Sequence, residues 1–78
     1  MQVKMYTKDN CPYCTKAKDF FARKNIQVQE VKVGTDIARD DFIKLTGMKT
    51  VPAIYLENKL IGGYTDLIEY VTDNPGVI

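Results

Sequence analysis

Between Gln2 and Val33 the hydrophobic period changes twice, and this restricts the fold more than any other feature of the 78-residue chain. QVKMYT, residues 2–7, alternates as a strand does, with Val3 and Met5 on one face and Tyr6 on the other. Asn10 or Cys11 then offers a helix N-cap, Pro12 suits the first helical position, and Cys14, Ala17 and Phe21 recur at helical spacing. This predicts a helix from Pro12 to about Lys24, with Asn25 at its end. IQVQEVKV, residues 26–33, is β-branched and alternating, but Ile26 and Val28 are out of phase with Val31 and Val33, which predicts a kink near Gln29. Strand, helix and strand within so short a chain favour a parallel pair with a right-handed crossover.

The remainder extends that unit. Gly34 turns the chain, Thr35 or Asp36 can cap a second helix, and Ala38, Phe42 and Leu45 form an apolar stripe before Gly47 stops it. AIYLENKLIGG, residues 53–63, reads as a hairpin turning at Glu57 and Asn58. Thr65 caps a third helix with Asp66 near its start; Leu67, Ile68 and Val71 face inward until Asn74, Pro75 and Gly76 end it. The order βαβαββα predicts an α/β fold, a mixed four-stranded sheet with three helices packed on it. The length allows one domain, residues 1–78, and not two independent cores.

Eleven basic and ten acidic residues leave a formal charge of +1, with no run of like charge long enough to wrap a phosphate backbone. Nucleic acid is therefore not an expected partner. MQVKMYTK has no apolar core of signal-peptide length and no stretch approaches a membrane span, so a soluble, cytoplasmic protein is expected.

The only two cysteines, Cys11 and Cys14, stand two residues apart in KDNCPYCTKAK. A bridge between them would close too small a loop to restrain the unfolded chain much. A closed zinc site needs about four ligands, and the chain has no histidine and no third cysteine. Thiol redox chemistry is the use that C-x-x-C at a strand-to-helix junction favours. Only a thiolate attacks a disulfide; Cys11, where free N–H groups and the positive helix end converge with Lys8 three residues upstream, is placed to hold one. Cys14 lies one turn further on the same face, so Cys11 attacks and Cys14 resolves. Pro12 fixes the turn, and Tyr13 offers a ring beside the thiol. The competing reading is a pair of space-filling buried cysteines.

Three blocks, YTKDNCPYC (Tyr6–Cys14), LTGMKTVPAIYL (Leu45–Leu56) and IGGYTDL (Ile61–Leu67), in this order and spacing resemble the glutaredoxin family, in its small dithiol bacterial or viral form. The resemblance covers nearly the whole chain. It implies a thioredoxin fold and a monomer with no bound cofactor or metal. Glutathione would be the reducing co-substrate, and the reaction would reduce protein disulfides and glutathione mixed disulfides, with ribonucleotide reductase as a natural client.

By the same resemblance, Pro52 is a cis-proline facing the active site. The residues themselves require Thr50-Val51-Pro52 to be extended before proline, so that Val51 can offer its N–H and C=O to an extended peptide such as glutathione; a trans proline opening a strand is the other reading. Gly62-Gly63-Tyr64-Thr65-Asp66 matches the family segment that holds the γ-glutamyl end of glutathione. The two glycines allow close backbone approach, and the helix N-terminus suits a carboxylate while Asp66 meets the α-ammonium; an ordinary capped helix competes. Arg39 falls where a basic or amide side chain of the family contacts the glycine carboxylate, or it lies on a solvated face beside Asp40 and Asp41. Lys8 has the same two readings, and Tyr13 is expected in the site. Tyr64 departs from the small residue or cysteine common there: its ring either narrows the glutathione groove or joins the apolar side of the third helix. Rival functions within the fold are a redoxin recharged by thioredoxin reductase and an iron–sulfur cluster carrier, the latter opposed by Pro12 where such carriers favour glycine or serine.

Overall fold

In the computed structural model, which describes residues 1–78, the strand Val3–Thr7 (β1) is flanked on both sides and fixes the rest of the sheet. The chain continues through α1 (Pro12–Arg23), β2 (Val28–Lys32), α2 (Arg39–Thr46), β3 (Ala53–Leu56), β4 (Lys59–Gly62) and α3 (Tyr64–Asp73). The strand order is β2-β1-β3-β4. β1 pairs in parallel with β2, Met5 opposite Glu30, and antiparallel with β3, Met5 opposite Ile54; β3 and β4 close an antiparallel hairpin. This is the mixed four-stranded sheet with three helices that the period changes predict.

Because side chains alternate along β1, the sheet carries a core on each face. Val3, Met5, Ile54 and Leu56 meet Ala17 and Phe21 of α1 and Leu67 of α3. On the opposite face, Tyr6 and Ala53 meet Phe42 of α2, with Val31, Val33 and Ile37 packed around them. Each fully buried large side chain, such as Phe21 or Ile54, contributes about 1.5–3 kcal/mol by removal from water.

Two-sided burial also corrects the kink expected near Gln29. Val28 packs in the first core and Val31 and Val33 in the second, so their opposite phase reflects two covered faces of a regular strand that starts at Val28. Ile26 precedes that strand. It belongs to the end of α1, where Asn25 adopts φ 58° and the N–H groups of Asn25 and Ile26 donate to the Ala22 and Phe21 carbonyls at 3.1 and 3.0 Å.

The start of α2 lies later than expected. Thr35 and Asp36 are spent on the turn before it: the Lys32 N–H donates to the Asp36 carboxylate at 2.9 Å, and the N-cap falls on Ala38, which has no side chain to cap with. Phe42 and Thr46 face the sheet, four residues apart, whereas Leu45 lies off that line and is 60% exposed. Thr46 is tolerated inside because its hydroxyl donates to the Phe42 carbonyl at 2.8 Å and accepts from the Met48 N–H at 3.0 Å. The cap of α3 also differs from expectation. Gly63 is the N-cap and Thr65 sits within the first turn, while Asp66 accepts from the Gly63 N–H at 3.0 Å. At the hairpin, Glu57 and Asn58 both take positive φ, 50° and 68°, as a tight two-residue turn demands. No helix is long and apolar enough to cross a membrane.

Candidate redox active site

The site forms where β1 hands over to α1. Asn10 takes φ 58°, and Cys11, still extended at φ −113° and ψ 101°, is the N-cap of α1 with Pro12 at its first position. Cys11 and Cys14 form a disulfide, their Cα atoms 5.2 Å apart. Cys11 Sγ accepts the Cys14 N–H at 3.2 Å, taking the place of a capping hydroxyl. A helix start is electropositive, and here a sulfur caps it directly. Cys14 is 1% exposed, so Cys11 is the more accessible sulfur.

Pro52 is buried and follows a cis peptide bond from Val51, as the resemblance implies. The Val51 carbonyl oxygen stands 3.9 Å from Cys11 Sγ. The β3 ladder begins only at Ala53, which leaves the Val51 backbone outside the sheet pairing. To one side of this junction, Lys8, Arg39, Lys49, Thr50 and Val51 line a cavity of about 380 Å³. Three cationic side chains share it, all exposed, which makes it a place for a carboxylate. To the other side lies the start of α3. A Cβ built at Gly63 would be 3.7 Å from the Pro52 carbonyl oxygen, so the Gly63 backbone runs close beside the proline loop.

Cys11, Cys14, Lys8, Thr50, Val51, Pro52 and Gly63 are thus gathered around one junction, with Arg39 at the cavity and Thr65 and Asp66 on the first turn of α3. Tyr13 is 55% exposed and meets Tyr64, their rings 6.1 Å apart and inclined by 33°. Tyr64 also packs on the first core, as the reading of its ring on the apolar side of the third helix expects. Sequence reasoning missed Lys49, whose only signal is its place next to Thr50, and it read Gly62 only as one of two glycines that allow close backbone approach. Gly62 has φ 125°, and a Cβ there would collide with the Asp66 carboxylate.

Behind the cysteines, Glu30 of β2 accepts from the Thr7 hydroxyl at 2.6 Å and pairs with Lys18 of α1 at 3.2 Å. The Thr7 hydrogen bond, with Lys18 and Lys32 nearby, holds the Glu30 carboxyl below its ordinary range against the opposing cost of burial. Lys32 pairs with Asp9 at 3.1 Å, and that hydrogen bond raises the Lys32 ammonium above its usual value.

The glutaredoxin family model matches residues 3–61. The chain belongs to the glutaredoxin family. It is 40% identical over 75 residues to glutaredoxin 3 of Escherichia coli K12, covering 95% of this chain and 88% of that one. Among solved structures, reduced E. coli glutaredoxin is similar at 34% identity and TM-score 0.74, with 95% of this chain and 96% of that chain covered. A buckwheat glutaredoxin–glutathione complex is similar at 25% identity and TM-score 0.80, covering 91% and 68%. The glutaredoxin described here therefore has the thioredoxin fold and is a thiol–disulfide oxidoreductase, and its Cys11–Cys14 pair fits the family's C-x-x-C motif.

Proposed function

We propose that this chain is a glutathione-dependent dithiol oxidoreductase, one domain acting as a cytoplasmic monomer on protein disulfides and glutathione mixed disulfides. The observation that carries the reading is Cys11 itself: a capping sulfur beside the Val51 carbonyl, with a cationic cavity on one flank and a helix N-terminus on the other.

In the proposed cycle the Cys11 thiolate attacks one client sulfur, forming a mixed disulfide and releasing a client thiolate that takes a proton from solvent. Cys14 gives its proton to solvent, attacks Cys11 Sγ and expels the second client thiolate, leaving the Cys11–Cys14 disulfide. Two glutathione thiols return the two electrons. The first opens the pair to a Cys11–glutathione mixed disulfide, and the second removes the glutathionyl group as glutathione disulfide.

Glutathione carries a carboxylate at each end, and the two flanks of Cys11 suit them. Lys8 and Arg39 would take the glycine carboxylate, joined by Lys49. Thr50, Val51 and Pro52 would align the cysteinyl backbone, with Tyr13 beside it. Gly63 and Thr65 would present the N-terminus of α3 to the γ-glutamyl carboxylate. One Asp66 oxygen caps Gly63, and the other would meet the α-ammonium. A glutathione complex of the similar buckwheat protein supports this reading. Ribonucleotide reductase is the client proposed from the family resemblance.

The test is turnover of a small glutathione mixed disulfide, with glutathione plus glutathione reductase in one assay and thioredoxin reductase in a parallel one. Turnover with glutathione supports the proposal. Turnover with thioredoxin reductase alone would replace it with the redoxin reading.

A further inference from the structure

The exposed side of α1 is rich in cations. Lys18 and Lys32 are matched by Glu30 and Asp9, but Lys16, Arg23 and Lys24 form no ion pair. Lys16 Nζ lies 5.1 Å from the centre of the Tyr13 ring, and Lys24 Nζ lies 5.9 Å from that of Phe20. Lys16, Asp19, Phe20, Arg23, Lys24 and Tyr64 line a cavity of about 510 Å³. Three cations against one carboxylate give this groove an excess of positive charge in a chain whose formal charge is only +1. Its aromatic floor continues through the Tyr64–Tyr13 contact to the disulfide.

We propose that this groove is a docking track for the acidic flank of a protein client. The inference rests on the oxidoreductase reading and adds a client chemistry to it: a chain with carboxylates a few residues from the cysteine that reaches Cys11. From Tyr13 to Lys24 is eleven residues of helix, or roughly 16 Å, which roughly five extended residues span. A carboxylate about four to six residues from the client cysteine therefore meets Arg23 and Lys24, while residues nearer the disulfide lie over Tyr13, Tyr64 and Phe20. Glutathione is too short to reach the far cations, so the track distinguishes protein clients from glutathione mixed disulfides.

The experiment is single-turnover reduction of disulfide peptides by protein reduced beforehand, so that glutathione is not needed and the recharging route does not affect the outcome. Three peptides differ only at the positions four to six residues from the reactive cysteine, which are Asp/Glu, Gln or Lys. At about 20 mM salt the acidic peptide is expected to react about tenfold faster than the Gln peptide, with the gap closing near 0.3 M. The double variant Arg23→Gln/Lys24→Gln should remove the preference and Arg23→Glu/Lys24→Glu should invert it, while turnover of a small glutathione mixed disulfide changes less than about twofold. Retention of the fold is checked by circular dichroism, and the neutral variant keeps the test valid if charge reversal frays the end of α1. Equal rates for the three peptides, or a preference that survives neutralisation, would overturn the proposal.

Discussion

The Val51 carbonyl oxygen lies 3.9 Å from Cys11 Sγ across 40 residues of sequence. The contact joins the sulfur that caps the start of α1 to the loop that precedes β3. Cys11, beyond the end of β1, and Val51, just before β3, are thereby brought together at the ends of two adjoining strands of one sheet.

Because Cys11 caps α1 and Cys14 is buried, the two serines should behave differently. Cys11→Ser is expected to reduce both protein disulfide and mixed-disulfide turnover to background. Cys14→Ser should lose dithiol reduction yet keep most mixed-disulfide turnover. Activity retained by Cys11→Ser in either assay would reverse the assignment of roles.

The cation cluster around the cavity of Lys8, Arg39 and Lys49 is exposed, so each charge is worth little individually. Arg39→Gln and Lys49→Gln are each expected to raise the KM for glutathione about two- to fivefold with kcat little changed, and the pair together about tenfold. A loss confined to kcat would count against binding.

Gly62→Ala combines a positive φ with a collision at Asp66, so the start of α3 must shift. The expected cost is about 1–3 kcal/mol of stability, with a raised KM for glutathione. Urea denaturation and steady-state kinetics measure the two effects; an unchanged KM would separate this turn from the glutathione site.

Glu30 has a folded pKa below its ordinary 4.5, so its stabilising contribution is complete above that value and is lost as the pH falls through the lower folded value. Thr7→Val removes the first cause of the shift. Wild type should therefore lose more stability than Glu30→Gln between neutral pH and pH of about 3, by about 1 kcal/mol. Parallel pH profiles of the urea midpoint for the two proteins would contradict this.

On α2, Phe42→Ala should cost about 3–5 kcal/mol, whereas Leu45→Gln should stay within about 0.5 kcal/mol. Equal losses would restore Leu45 to the core.

The sequence made β1, α1 and the hairpin legible because period, caps and turn residues agreed there: Asn10 and Cys11 before Pro12, Asn25 after the helix, Glu57-Asn58 between strands. Reading failed where one residue type had two uses. Asp36 and Thr35 suit a cap and a turn equally, and only the Lys32–Asp36 hydrogen bond decides between them. Leu45 fits an apolar stripe, but Thr46 bonds its hydroxyl locally and takes the inward position. In the site, the C-x-x-C pair was visible from chemistry alone. Lys49 and the Tyr13–Tyr64 contact depend on which segments of a folded chain become neighbours, and no local pattern records that.

The difference in exposure between the two sulfurs also bears on oxidative damage. In the reduced protein, peroxide would meet the more accessible Cys11 first and convert it to a sulfenic acid, while Cys14 is shielded. Cys14 lies one helical turn away, and its thiol would condense with that sulfenic acid to give the Cys11–Cys14 disulfide and water. The buried cysteine would thereby divert its partner from the irreversible sulfinic and sulfonic acids into a bond that thiols can reopen.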